Sequence, residues 1–303
     1  MKLHHIIESQ QFTVPVLMEL FNLADSMERI VARGGTRDYS NKIMALLFYE
    51  HSTRTRFSFE SAMMRLGGKV IATESAAEFS SFTHGESLED TVRVVGDYSD
   101  VIVMRHYEVG GAARAAAISA VPVINAGDGK GGQHPTQALL DLYTIHREIK
   151  TIDGVKVALV GNLAEGRTVR SLAYLLGKFE RVKLYFVAPK PLQMQEDIIH
   201  YLNNHKVWFT QEENLREVIN EVDVVYMTRL EATEGEGMRP SGFFMDESLM
   251  KLLPKKAIVM HPLPRANEIS PGVDADHRAV YFRQTRNGIL VRMALLVSIF
   301  DGR

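Results

Sequence analysis

The chain has 303 residues, of which 46% are hydrophobic and 24% charged, and a net charge of −2. That length exceeds the usual size of one hydrophobic core, so two domains are expected, and the near-neutral charge argues against a general nucleic-acid or membrane-surface binder. There is no cysteine, which excludes disulfides, cysteine-ligated zinc and thiol catalysis. The start, Met1-Lys2-Leu3-His4-His5-Ile6-Ile7-Glu8, has no apolar core of signal-peptide length, and no later run is long enough to span a bilayer. The expectation is a cytoplasmic protein without membrane or nucleic-acid partners.

The first apolar run, Ile43–Phe48, reads as a strand. It is followed by Ser52-Thr53-Arg54-Thr55-Arg56 and then by Phe57, Phe59, Met63 and Leu66 at helical spacing, which predicts a strand, a turn and a helix start. The first turn of a helix has free backbone N–H groups and the positive end of the dipole. Hydroxyls and guanidinium groups added there make a site for phosphate or another small oxyanion. The plain alternative is an ordinary Ser/Thr cap beside surface arginines. Further strands are predicted at 69–72, 101–104 and 121–124, with a helix over 89–98 between the first two of these. Arg105-His106 and the segment 125–137 follow the third and fourth strands of this half.

A strong helix over 136–149 ends before a fresh strand at 155–160. The domain boundary therefore falls at 150, giving domains of 1–150 and 151–285, with a last helix (about 286–303) packing back on the first. The second half adds strands at Lys183–Val187, 222–227 and 257–260 and a helix over 168–178. Polar clusters follow its strands at 161–168, Thr228-Arg229 and 261–265. Strands alternating with helices imply an α/β fold of two domains, each a parallel sheet flanked by helices. Ligands of such sheets bind beyond the carboxyl ends of the strands, where the six polar clusters fall, so an active site in the cleft between the domains is the expectation. The loop 161–166 lacks the G-x-G-x-x-G spacing of a dinucleotide site. His134, Arg167 and Arg229, taken singly, are as readily structural or surface residues as ligands.

Taken together, these motifs resemble the aspartate branch of the aspartate/ornithine carbamoyltransferase family. The matching elements are Ser-Thr-Arg-Thr-Arg at 52–56, Met104-Arg105-His106, Asn125-Ala126-Gly127-Asp128-Gly129 and His134-Pro135-Thr136-Gln137. They continue with Gly166-Arg167-Thr168, Met227-Thr228-Arg229, His261-Pro262-Leu263-Pro264-Arg265 and Tyr281-Phe282-Arg283-Gln284, collinear over essentially the whole chain. The ornithine branch has a cysteine-containing equivalent of His-Pro-Leu-Pro-Arg. The resemblance implies carbamoyl transfer from carbamoyl phosphate to the amine of L-aspartate, in pyrimidine synthesis, without a metal or cofactor. It implies a homotrimer with sites shared between subunits, and regulatory chains are a further kind of partner that it admits.

On that reading Ser52, Thr53, Arg54 and Thr55 hold carbamoyl phosphate, and Arg105 adds a second cation. Thr55, Arg105 and His134 stabilise the oxyanion of the tetrahedral intermediate, with Arg54 counted in the catalytic set. Gln137 and the carbonyls of Leu263 and Pro264 accept from the carbamoyl NH2. Arg167 and Arg229 are the forks for the carboxylates of aspartate, and Glu50 is suggested as a closure partner for such an arginine. Departures from the family pattern concern the acceptor. Thr83-His84 stands where the family has a lysine, Glu231 where it has a glutamine, and Ala164 where another lysine is familiar. The loop 129–132 is longer and carries Lys130. His84 and Glu231 are accordingly assigned to the aspartate side. Two alternatives follow: a carbamoyltransferase for another amine, or a weakly active carbamoyl phosphate-binding homologue.

Overall fold

A computed structural model describes residues 3–74, 85–230 and 242–302. His84 and Glu231 lie outside the described residues. The described chain divides into two compact units, residues Met1–Leu140 with Asn287–Arg303, and Asp141–Arg286.

Unit 1 is built on a four-stranded parallel sheet in the order β2-β1-β3-β4. Its strands are β1 (Ile43–Phe48), β2 (Lys69–Glu74), β3 (Val101–His106) and β4 (Val123–Asp128). Central β1 and β3 are buried along nearly their whole length, so they read as continuous apolar runs without alternation, as expected of a parallel sheet covered on both faces. Helix α1 (Val14–Ala32) was not anticipated from the sequence. It buries Leu17, Leu20, Phe21, Ala24 and Met27 on one face and starts with Pro15 in its first turn, where the missing N–H costs nothing. Helix α2 (Thr53–Arg65) buries Phe59, Ala62 and Met63, while Phe57, expected on the apolar face, is 59% exposed. Helices α3 (Leu88–Tyr98) and α4 (Gly111–Ile118) complete the crossovers.

The N-terminal segment protects the free edge of β4. Ile6 pairs with Ile124 in parallel, its N–H donating to Val123 O at 2.8 Å, and its carbonyl accepts from Asn125 N at 2.7 Å. Strands β3 and β4 run further than the apolar pattern suggests, so Arg105, His106 and Asn125 lie inside strands and not after them. Ladder hydrogen bonds continue through polar residues, which the hydrophobic pattern does not register.

Unit 2 carries a five-stranded parallel sheet in the order β7-β6-β5-β8-β9. The strands are β5 (Lys156–Val160), β6 (Lys183–Val187), β7 (Trp208–Glu212), β8 (Val224–Met227) and β9 (Ile258–Met260). β7 has no apolar run to betray it. It is a half-exposed edge strand, held through Trp208, whose ring meets Tyr185 at 5.3 Å and Lys183 Nζ at 5.3 Å. Two helices run through the division between the units: α5 (Pro135–Ile149), counted with unit 1 as far as Leu140, and the C-terminal α9 (Tyr281–Phe300), counted with unit 1 from Asn287. Between them in the chain lie α6 (Arg167–Leu176), α7 (Glu196–Asn204) and the short α8 (Glu247–Leu252). No helix among the described residues is long and apolar enough to cross a membrane.

Candidate active site

In unit 1 the candidate residues sit at the carboxyl edge of the sheet because the turns that carry them follow neighbouring strands. β1 lies between β2 and β3, and β3 beside β4. The turn after β1 leads into α2 with Ser52 as its N-cap residue, yet the Ser52 side chain makes no capping hydrogen bond. The first-turn N–H groups and the hydroxyl are thereby left for a ligand, the arrangement that suits an oxyanion. Arg54 is exposed, Thr53 is exposed and Thr55 is buried. Arg56, the last residue of the motif, is engaged with Glu60 one turn on, at 2.8 Å.

Arg105, next to last in β3, lies opposite Phe48 of β1, and Tyr49 N donates to its carbonyl at 2.9 Å. Its side chain is only 10% exposed, with Nη1 donating to Ala126 O at 3.4 Å and Nη2 paired with Glu50 Oε2 at 3.2 Å. Glu50, for which the sequence suggested a second-domain arginine, thus serves to hold and partly neutralise Arg105. Next to it, His106 is buried, and burial pulls its imidazole below the usual range, with Glu108 opposing.

His134 and Gln137 flank the start of α5, both buried, and His134 O accepts from Gln137 N at 3.0 Å and Ala138 N at 3.1 Å. The loop before them wraps around Asp128. The Asp128 carboxylate accepts from Gln133 N at 2.9 Å and Gly110 N at 3.0 Å, and a Cβ on Gly132 would meet Asp128 O at 2.6 Å. Gln133 is fastened in turn to the N-terminal segment, accepting from Ser9 N and donating to Gln10 Oε1, each at 2.8 Å. Lys130, the residue added by the longer loop, is exposed.

In unit 2 the candidates follow β5, β8 and β9, which are adjacent in the sheet. Arg167 opens α6, Arg229 follows β8, and Asn162 N donates to Arg229 O at 3.1 Å, tying the two loops. Gly161 has φ +126, and a Cβ there would lie 2.3 Å from Thr228 Oγ1, so only glycine fits this close crossing. Ala164 is buried, and its N–H shares Leu192 O with Leu163 N.

The turn after β9 departs from ordinary backbone geometry. Leu263 is a non-glycine residue at φ +55, and the peptide bond to Pro264 is cis. The buried ring of His261 holds it, with Nδ1 accepting from Leu263 N at 2.8 Å. The proton therefore sits on Nε2, which donates to Glu268 Oε1 at 2.7 Å, and Glu268 Oε2 accepts from Ala266 N at 3.0 Å. Burial pushes the imidazole pKa down, with Glu268 acting against it and Arg229 and Arg265 adding to it. For Glu268, burial alone would raise the carboxyl, but the bond from His261 and the backbone N–H groups bring it below its usual range. Arg265 is fully engaged within the unit, on Asp274 and on Tyr281 Oη at 3.1 Å.

Sequence reasoning missed a buried polar set. Asp141 on α5 accepts from Tyr226 Oη and from Gln284 Nε2, each at 2.6 Å, and Gln284 Oε1 accepts from His261 N at 3.0 Å. Its signal was a single acid among Ala138, Leu139, Leu140 and Leu142 on a helix otherwise rich in apolar residues.

Residues 4–147 match the family model described as the carbamoyl-P binding domain of aspartate/ornithine carbamoyltransferase, and residues 153–299 match its Asp/Orn binding domain. A chloroplastic aspartate carbamoyltransferase of Oryza sativa subsp. japonica is 50% identical, covering 100% of this chain and 86% of its own length. The aspartate carbamoyltransferase catalytic subunit of Methanocaldococcus jannaschii is 45% identical over 98% of both chains. Among solved structures, the aspartate transcarbamoylase of Trypanosoma cruzi in complex with carbamoyl aspartate and phosphate superposes with a TM-score of 0.90 at 42% identity, covering 98% of this chain and 96% of that one. The expectation of a cytoplasmic protein is overturned by the rice relative and by one from Arabidopsis thaliana, 52% identical, both chloroplastic. Near-neutral charge and the lack of long apolar runs bear on membranes and secretion. Plastid addresses are polar, receptor-read segments on which those features are silent.

Proposed function

The chain belongs to the aspartate/ornithine carbamoyltransferase family, and from that premise we propose how its two units divide the reaction. The reaction is transfer of the carbamoyl group from carbamoyl phosphate to the amine of L-aspartate, giving N-carbamoyl-L-aspartate and phosphate in pyrimidine synthesis. Unit 1 takes carbamoyl phosphate. Its phosphate lies at the start of α2 on the backbone N–H groups, Ser52, Thr53, Arg54 and Thr55. The observation that carries this is the uncapped α2 start at the same sheet edge as Arg105.

Attack by the amine places negative charge on the former carbonyl oxygen, and Thr55, Arg105 and His134 supply donors for it. Gln137 accepts from the carbamoyl NH2, as do the carbonyls of Leu263 and Pro264. No side-chain nucleophile is needed: the C–N bond forms as the tetrahedral intermediate is made, the C–O bond to phosphate breaks as it collapses, and the departing phosphate takes the amine proton. Catalysis is then mainly positioning and charge stabilisation. In unit 2, Arg167 and Arg229 hold the two carboxylates of aspartate, each as a planar fork. His84 and Glu231 act on the same side.

The working form is a homotrimer that shares its sites. The exposed apolar side chains of Phe57 and Met64 on α2, and of Val94 and Tyr98 on α3, support a surface that another copy covers. The test is carbamoyl transfer to a panel of amines by the purified protein, with its mass measured in solution. Aspartate as the preferred acceptor and a trimeric mass are expected; preference for another amine would overturn the acceptor assignment.

A further inference from the structure

Asp141, Gln284 and Tyr226 are 0%, 1% and 0% exposed, and no step of the reaction uses them. The Asp141 carboxylate is the centre of the group. Its Oδ1 accepts from Gln284 Nε2 and its Oδ2 from Tyr226 Oη, each at 2.6 Å. Gln284 passes the order outward, its Oε1 accepting from His261 N at 3.0 Å, and the His261 ring fixes Leu263 N at 2.8 Å. At the other end the Thr168 side chain acts on the Tyr226 hydroxyl, and Thr168 is the neighbour of Arg167 at the start of α6.

A buried carboxylate is costly unless donors satisfy its oxygens. What an acid supplies is two oxygens that both accept. Gln284 must then turn its NH2 toward Asp141 and its oxygen toward His261 N, and Tyr226 must direct its proton inward, leaving its oxygen to face Thr168. We propose that Asp141 is a positioning residue: through Gln284 it sets the turn that bears the Leu263 and Pro264 carbonyls, and through Tyr226 it sets Thr168 and the start of α6 beside Arg167. This rests on the reading that those carbonyls and Arg167 meet the substrates.

The hydrogen-bond pattern can be inverted without changing shape or charge. In the double variant Asp141→Asn, Gln284→Glu, the new glutamate accepts from His261 N and from the asparagine NH2, whose oxygen still accepts from Tyr226. Each single change disturbs the pattern: Gln284→Glu sets two carboxylates face to face, and Asp141→Asn either turns an NH2 on Gln284 Nε2 or forces the Tyr226 hydroxyl to reverse from donor to acceptor. Each single variant is expected to lower kcat at least about tenfold, and the pair to return to within about threefold of the parent, a coupling that a double-mutant cycle measures directly. Tyr226→Phe, which keeps the ring, is expected to raise the KM for aspartate several-fold while leaving that for carbamoyl phosphate unchanged.

The proposal is overturned if folded single variants keep parent kinetics, if the double variant is no better than the poorer single, or if Tyr226→Phe changes both KM values alike. Should the singles fail to fold, a folded and active double variant supports the proposal, and an unfolded one rejects it. Arg167→Ala run in parallel separates the two layers. An unchanged aspartate KM there fails the underlying substrate reading, whereas a raised one with parent-like network variants fails the network alone.

Discussion

Replacing Glu268 by Gln tests the turn after β9 with almost no change in volume. His261 Nδ1 already accepts from Leu263 N at 2.8 Å, so its proton is on Nε2 and needs an acceptor at 2.7 Å. A glutamine can present its oxygen there, but its NH2 then faces Ala266 N, which Glu268 Oε2 accepts at 3.0 Å. Turning the amide over moves the conflict to His261, whose other tautomer would set Nδ1–H against Leu263 N–H. Either way one donor loses its acceptor, at about 1–3 kcal/mol. Ala266 is exposed and water can serve its N–H, which places the cost at about 1–2 kcal/mol. For a unit of roughly 150 residues that corresponds to a Tm about 2–8 °C lower. The Leu263 and Pro264 carbonyls shift with the turn, so kcat should fall as well, by about tenfold for a displacement well short of 1 Å. Thermal melts, steady-state kinetics in both substrates and long-range 1H–15N spectra of the imidazoles are the assays. Parent Tm together with parent kinetics, or a parent spectrum with Nδ1 protonated at His261, would refute the reasoning.

Arg54→Ala should abolish measurable turnover while leaving the melt nearly unchanged, because the residue is exposed and each charge-assisted bond to phosphate contributes about 1.5–3 kcal/mol; unchanged carbamoyl phosphate affinity would remove the phosphate site from α2. Arg229→Ala should raise the half-saturating concentration of aspartate far more than that of carbamoyl phosphate, and equal effects in initial-rate kinetics would reject the division between the units. His261 gives a pH dependence of stability. Burial lowers its folded-state pKa, so below the unfolded value of about 6.5 the unfolded chain binds a proton that the folded chain does not. Its contribution is complete above that value and is lost as the pH falls from there toward the folded-state pKa. Urea unfolding of the parent and of His261→Asn between pH 5 and 8 should show a shallower slope for the variant, and identical slopes would count against a neutral His261.

The strands were legible where burial is continuous. β1 and β6 have the bounds that their apolar runs suggest, because the buried positions of a parallel strand covered on both faces are apolar without alternation. β7 was illegible, since an edge strand with solvent on one side can carry Thr210, Gln211 and Glu212 and still pair. Helix α1, though not anticipated, was legible, since Leu17, Leu20, Phe21, Ala24 and Met27 recur at helical spacing with Glu19 and Asp25 on the wet face. Strand ends placed the candidate residues at the sheet edges, but not what fastens them. The hold of Glu50 on Arg105, of Asp128 on the loop to Gln133, and of Asp141 on Tyr226 and Gln284 spans 5 to 143 residues in sequence, and a single sequence carries no record of such pairings.

The passage of α9 through the division between the units has a consequence for synthesis. Unit 2 is one unbroken stretch of chain, whereas unit 1 needs residues 287–303 to be complete. Those residues bring Leu290, Val291, Met293, Ala294, Leu295 and Leu296, all buried, so the sheet of unit 1 waits for a helix made after the whole of unit 2. On the ribosome, at roughly 5–20 residues per second, the later half can close first while the earlier half stays open for about ten seconds or more. That interval is when this chain has apolar surface to hide, and a chain shorn of its last turn or two would never leave it. Chaperone demand should therefore track the fate of the C-terminal helix more closely than that of any other element.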